Sequence, residues 1–225
     1  MFYQTESRTY LNESMKDPQS TAYWHEKLKQ LGIIVIIPSY NNGKTLADVI
    51  ESVRSYAPDI LVVNDGSTDE TAGILSREAN LQVITHPTNQ GKGIALKHGL
   101  CHAKAQGFRY AITIDSDGQH FASDIPSFIE AIEKEPDTLL VGSRNLASDN
   151  MPGKNTFANK FSNFWFTLET GIKLQDTQSG YRLYPLQRMN VDKWYYTAKY
   201  EFELEALVFA AWGDIAVKNL SLIHI

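Results

Sequence analysis

The sequence predicts an α/β domain in which a mostly parallel central sheet carries helices on both faces. Three observations predict it. Short β-branched apolar runs recur through the first two thirds of the chain, stripes of helical period fall between them, and each run ends in a polar loop. Strands alternating with helices in this way build parallel sheets covered on both sides.

The elements follow in order. Residues 1–31 are polar and irregular and read as an N-terminal appendage, with a helix over Thr21–Leu31 that Ser20 or Thr21 can cap. The domain then spans 32–225. Ile33–Ile37 is a continuous β-branched run, suited to a strand buried on both faces, and Pro38 ends it. Leu46, Val49, Ile50 and Val53 recur at i, i+3, i+4 and i+7, the stripe of an amphipathic helix. Ile60–Val63 is a second strand, followed by a helix near Glu70–Ala79 and a shorter strand at Leu81–Thr85. A helix over Ile94–Ala105 leads to a fourth strand, Tyr110–Ile114. Ile125, Phe128, Ile129 and Ile132 stripe the next helix, and Thr138–Val141 is a fifth strand. Beyond it, Phe157, Phe161, Phe164, Trp165 and Leu168 share one helical face, Glu201–Trp212 is an apolar helix, and Ile215–Ile225 reads as a closing strand. The chain stops without a polar tail, as a shortened chain would.

Composition narrows the partners. The 225 residues are 43% hydrophobic and 21% charged, with a formal charge of −5. That is an ordinary globular balance, and its acidity disfavours nucleic acid. The longest apolar run, Gly32–Pro38, falls far short of the ~20 residues of a membrane span. Residues 1–17 lack the apolar core and basic flank of a secretion signal. Cys101 is the sole cysteine, so no intrachain disulfide forms, and a cytoplasmic setting is expected.

Ligands of an open parallel sheet bind beyond the carboxyl ends of its strands. The segments there are Pro38-Ser39-Tyr40-Asn41, Asn64-Asp65-Gly66-Ser67-Thr68-Asp69, His86 to Gly93, Asp115-Ser116-Asp117-Gly118-Gln119-His120 and Gly142-Ser143-Arg144, so the short polar motifs gather on one edge. Asp115 and Asp117, at i and i+2 after a strand, point to the same side and can share a hard divalent cation, with Gln119 as a third oxygen. Such a cation can neutralise a departing diphosphate. Asp65 either accepts hydrogen bonds from a ligand or closes a turn, and Asp69 reads as a helix cap. Asn89 to Gly93 opens a helix, so its N–H groups and Lys92 can meet phosphate, though its glycines also merely permit a turn. His98 and His102 have metal-ligand spacing without a third ligand in reach, which favours a plain helix surface; Cys101 reads as a small core residue.

Ile-Pro-Ser-Tyr-Asn (37–41), Val-Asn-Asp-Gly-Ser-Thr-Asp (63–69), Asn-Gln-Gly-Lys-Gly (89–93) and Asp-Ser-Asp-Gly-Gln-His (115–120) closely resemble the family 2 glycosyltransferases over about residues 32–220. Asp-Gly-Gln-His, with Asp-Thr-Gln-Ser-Gly-Tyr-Arg (176–182), resembles their dolichyl/polyprenyl-phosphate sugar transferase branch. The resemblance implies the Rossmann-like GT-A fold and inverting transfer of a sugar from a nucleotide-diphosphate donor, with Mg²⁺ or Mn²⁺. The acceptor it implies is a polyprenyl phosphate or another envelope lipid or glycan. It implies that Pro38, Tyr40, Asn41, Asp65, Lys92 and Ser116 line the donor pocket, and that Asp115, Asp117 and Gln119 engage metal and diphosphate. Arg144 and Arg182 would contact phosphate, and Asp176 would serve the acceptor. Gln178 departs from the small polar residue common in the branch. Phe157, Phe161 and Trp165 offer contact with the cytoplasmic face of a membrane, or else core packing. Two rivals remain: a sugar-phosphate nucleotidyltransferase, which should carry a glycine-rich basic loop where Pro38 to Gly43 stands, and a non-catalytic sugar-nucleotide binding module.

Overall fold

The computed structural model describes residues 20–143, 156–193 and 201–222. In chain order the elements are α1 (Thr21–Leu31), β1 (Ile33–Ser39), α2 (Gly43–Arg54), β2 (Ile60–Asn64), α3 (Thr71–Leu75), β3 (Gln82–Thr85), α4 (Lys92–Ala105) and β4 (Tyr110–Thr113). Then follow α5 (Ile125–Lys134), β5 (Leu139–Ser143), α6 (Thr156–Thr170), β6 (Arg182–Pro185), α7 (Glu201–Trp212) and β7 (Val217–Ser221).

The strands form one seven-stranded sheet in the order β3-β2-β1-β4-β6-β5-β7. β1 runs parallel to β2 and β4, β2 to β3, and β5 to β7; only β6 runs against its neighbours β4 and β5. β1 and β2 are buried along their whole length, as continuous β-branched runs require of central parallel strands.

The two-residue period of β1 divides the core. Ile33, Val35 and Ile37 face a cluster with Leu46, Val49 and Ile50 of α2 and Phe128, Ile129 and Ile132 of α5. Ile34 and Ile36 face the opposite cluster, with Leu96 and Leu100 of α4, Phe166 of α6, and Phe202 and Leu207 of α7. Helices therefore cover both faces. Trp24 and Leu28 of α1 lie in the first cluster, and Ser20 caps that helix by accepting from the Tyr23 N–H. Thr21–Leu31 thus packs against the sheet.

Three elements differ from their sequence expectation. α3 is a single short turn of helix, because Gly73 and polar Ser76 and Arg77 offer no continuing apolar stripe. β7 ends at Ser221, and residues 223–225 lie outside the described residues. β6 has no counterpart in the sequence expectation. It is four residues long, opens on an arginine and closes on a proline, so it shows neither a run nor an alternation. Its reversed direction matters for the site. Arg182 pairs with Thr113 and Val141, so the segment before β6, residues 176–181, arrives at the same edge as the carboxyl ends of β4 and β5.

Candidate active site

A cavity of about 540 Å³ lies at the carboxyl edge of the sheet. Pro38, Ser39, Tyr40 and Asn42 line it from the end of β1, and Asp65 from the end of β2. Asn89, Gly91, Lys92 and Ala95 line it from the start of α4, and Asp115, Ser116 and Asp117 from the loop after β4. Its volume falls in the range of small-ligand pockets. The expected donor residues Pro38, Tyr40, Asp65, Lys92, Asp115 and Ser116 meet here, together with Asp117.

Within the cavity, Lys92 is the central cation. Its Nζ lies 2.7 Å from Asp115 Oδ1 and 3.2 Å from Glu203 Oε1. Burial alone would pull the Lys92 ammonium below its usual range, but the charges of Glu203 and Asp115 outweigh it and hold it above. Gly180 makes this packing possible. A Cβ there would stand 2.6 Å from Asp115 Oδ2 and 2.8 Å from Lys92 Nζ, closer than carbon can approach. Beside Asp115, Ser116 is buried; its Oγ accepts from Asn42 Nδ2 and its carbonyl from Thr45 Oγ1. These bonds fix the loop between two acids of different exposure: the Asp115 carboxylate is 22% exposed, and Asp117 lies open to solvent, accepting only the Gln119 N–H among its described hydrogen bonds.

Asp65 behaves otherwise. It is buried, Oδ1 accepts from the Gln90 N–H and from His86 Nδ1, and Oδ2 accepts from the Gly91 N–H. Its first task is to close the loop that starts α4, while it remains on the cavity wall. Gly66, at φ +70°, lets that loop come close, since a Cβ would stand 2.4 Å from the Thr88 carbonyl carbon. His86 Nε2 in turn meets His98 Nδ1 at 2.8 Å, and His102 bonds Gln82 and Gln106, so the histidine pair of α4 serves two separate hydrogen-bond networks. Asp69 accepts the N–H groups of Thr71 and Gly43, capping α3 and tying it to the start of α2.

Several expected site residues lie elsewhere. Arg182 is fully buried, and its Nε, Nη1 and Nη2 donate to the carbonyls of Ser179, Glu203 and Thr177. Arg182 does not line the cavity, and its three bonds to carbonyls clasp the 177–180 segment to α7. Asn41, at φ +54°, joins the first two loops through Ser67 and Thr68 and does not line the cavity. Gln119 is exposed and lines neither this cavity nor its neighbour, an about 330 Å³ pocket that shares Asp117. Asp176 is half-buried on the segment that leads to Gly180, with Oδ1 accepting the Gln178 N–H. Arg144 and Phe157 lie outside the residues whose side chains are described.

Glu203 is the site residue that sequence reasoning missed. Past Glu201, Glu203 and Glu205, α7 is apolar, and a helix of that kind is a buried one, but the sequence does not single out which of the three acids is the buried one that needs a partner.

The exposed face of α6 corrects another expectation. Phe161, Phe164, Trp165 and Leu168 are 42–61% exposed, while Phe166 on the other side is fully buried. Trp212 of α7 is also exposed and donates its indole N–H to the Glu169 carbonyl. Core packing thus does not account for the aromatic face.

The residues present fit a divalent cation of one kind. Among the described residues no three His, Cys, Asp or Glu side chains gather to cage an ion. Two carboxylates on one cavity wall, one already holding an ammonium, suit Mg²⁺ or Mn²⁺ that takes its remaining oxygens from phosphate and water.

The family model for glycosyl transferase family 2 matches residues 34–192, which takes in β1 to β6 and every cavity-lining residue. The chain belongs to glycosyl transferase family 2. A UDP-N-acetylglucosamine–dolichyl-phosphate N-acetylglucosaminyltransferase of Methanococcus voltae is 33% identical over 214 residues, covering 84% of this chain and 85% of that protein. A dolichyl-phosphate β-glucosyltransferase of Trichomonas vaginalis is 28% identical over 222 residues, covering 85% of this chain; the match spans only 65% of that protein's length. Glucosyl-3-phosphoglycerate synthase from Mycobacterium tuberculosis, solved with Mn²⁺, UDP and phosphoglyceric acid, superposes with a TM-score of 0.68 at 18% identity, over 93% of this chain and 76% of that one. Family 2 membership and this neighbour agree on the mixed, mostly parallel sheet of the GT-A fold, and the family sets aside the nucleotidyltransferase alternative.

Proposed function

We propose that this chain is an inverting, divalent-cation-dependent glycosyltransferase that moves a sugar from a nucleotide-diphosphate donor to a polyprenyl phosphate. One observation carries this reading: Asp115, Asp117 and Lys92 meet Tyr40 and Asp65 around a single cavity at the carboxyl edge of the sheet. Half-exposed Tyr40 offers a ring face to the base, and the lone pair that Asp65 Oδ2 keeps beside the Gly91 bond can accept a base N–H. Lys92 on the cavity wall, with the first turn of α4, supports a role for this helix start in meeting the diphosphate. Asp115 and Asp117 would hold Mg²⁺ or Mn²⁺, which supplies positive charge to the departing diphosphate. The acceptor oxygen attacks the anomeric carbon from the side opposite the nucleotide diphosphate; the new C–O bond forms as the old one breaks, without a sugar–enzyme bond. A phosphate acceptor is already an anion at neutral pH, so Asp176 needs only to orient it.

The activities of the Methanococcus and Trichomonas relatives support a lipid-phosphate acceptor. The aromatic face of α6 supports access to it from a membrane surface. Among the described residues no helix is long and apolar enough to cross a bilayer; the proposed contact is through Phe161, Phe164 and Trp165. The expected result is co-sedimentation with phospholipid vesicles that falls several-fold in a Phe164→Ser/Trp165→Ser variant; equal binding by both proteins contradicts the membrane role.

The donor test is a thermal-shift screen of UDP-, GDP- and dTDP-sugars with and without Mn²⁺. One donor should raise the melting temperature only with the metal, because a ligand selective for the folded state stabilises it. With that donor, Asp176→Asn should keep the shift and lose transfer to polyprenyl phosphate. No metal-dependent shift with any donor contradicts the proposal.

A further inference from the structure

We propose that Glu203 is a positioning residue: it holds the Lys92 ammonium at the cavity wall, so that Lys92 can yield Asp115 to a divalent cation without leaving the site. The inference rests on the cation site proposed above.

Lys92 stands between two carboxylates of unequal exposure. Asp115, at 2.7 Å, is 22% exposed, whereas Glu203, at 3.2 Å, is 6% exposed. A carboxylate as buried as Glu203 requires a counter-charge, and among the described residues its ion-pair partner is Lys92. The demands on Asp115 conflict. An ammonium 2.7 Å from Oδ1 and a divalent cation on the same carboxylate repel each other, so cation binding favours a Lys92 that leans away from Asp115. A lysine with Asp115 as its one partner would lean into solvent. Glu203 gives it a second acceptor on the protein side, and the flexible four-carbon stem with three donors allows the change. Lys92 then stays beside the place where the diphosphate arrives.

The surroundings fix Glu203 rather than Lys92. Arg182 Nη1 donates to the Glu203 carbonyl, while its Nε and Nη2 hold the carbonyls of Ser179 and Thr177. One buried guanidinium therefore sets both the first turn of α7, with Glu203, and the approach of Gly180, whose missing side chain leaves room for Lys92 and Asp115. Glu203 touches neither donor nor cation and acts through Lys92.

The test measures binding of Mn²⁺ alone, by the electron paramagnetic resonance of the free ion, with the melting temperature of each protein recorded. The proteins are the full chain, Glu203→Gln, Lys92→Met, the double variant, Glu203→Asp and Asp117→Asn. Glu203→Gln is expected to weaken Mn²⁺ binding about tenfold, as for coupled members of one charge network, and Lys92→Met to tighten it. In the Lys92→Met background the Glu203→Gln effect should shrink below about threefold, since nothing is left to position. Glu203→Asp, which keeps the counter-charge, should bind within about threefold of the wild type. An equal Glu203→Gln effect in both backgrounds overturns the proposal, because Glu203 would then act as a bare charge. So does an unchanged affinity in Glu203→Gln. If Glu203→Gln does not fold, Glu203→Asp decides: wild-type melting with about tenfold weaker Mn²⁺ binding overturns the proposal, and recovery supports it. Loss of binding in Asp117→Asn with no effect at Glu203 removes this inference and leaves the cation site standing; full binding in Asp117→Asn removes both.

Discussion

Asp65 and Asp115 follow β2 and β4, the two strands that flank β1, yet the protein uses them differently. Asp65 is buried and engaged by two backbone N–H groups and a histidine. Asp115 is partly open and bonds a lysine that has another carboxylate to turn to. The contrast shows how to tell architecture from chemistry when both wear the same residue type. A carboxylate satisfied by main-chain donors cannot be released without undoing a loop. One satisfied by a mobile ammonium can be released whenever a better cation arrives.

The largest effect is expected at Asp65. Asp65→Asn turns one acceptor oxygen into a donor that faces N–H groups and leaves His86 without its acid. Stability should fall by about 2–4 kcal/mol, as for a buried charged hydrogen-bond network, measured by urea unfolding. A loss under about 1 kcal/mol, the range of ordinary surface substitutions, would place Asp65 with the chemistry instead. A smaller effect tests the other carboxylate. Gly180→Ala pushes a methyl group against Asp115 and Lys92, so the side chains must part. Metal-dependent nucleotide binding should weaken about tenfold, as when a binding group is pushed out of its productive position, while the sheet pairing of β6 and the melting profile stay close to wild type. Unchanged nucleotide affinity would mean that Lys92 and Asp115 do not need the space beside Gly180 when the donor binds.

Much of this is legible in the sequence, for identifiable reasons. Ile33–Ile37 and Ile60–Val63 announce central strands because both faces are buried, so every position is apolar. The polar loops then have to converge, since parallel strands share a carboxyl edge. Tyr40, Lys92, Asp115 and Asp117 follow on that basis. What escapes depends on contacts distant in the chain. Nothing near Arg182 says that carbonyls of Ser179, Glu203 and Thr177 will surround it, so an arginine beside a polar motif reads as a phosphate ligand. Glu203 is one of three glutamates that open an otherwise apolar helix, and nothing local says which of them is buried. The aromatic face of α6 reads equally as core or surface, because period alone shows which residues share a face but not what lies opposite.

The Asp115–Asp117 loop, and not the Asp65 loop, is thus the releasable one. The direct measurement is nucleotide-diphosphate binding to Asp117→Asn by titration calorimetry, with and without Mn²⁺, beside its urea unfolding curve. Because Asp117 is exposed and an asparagine oxygen can still accept the Gln119 N–H, stability should stay within about 0.5 kcal/mol of wild type while the metal-dependent part of the binding disappears. Wild-type nucleotide affinity with Mn²⁺ in this variant would show that the loop after β4 holds no cation for the donor.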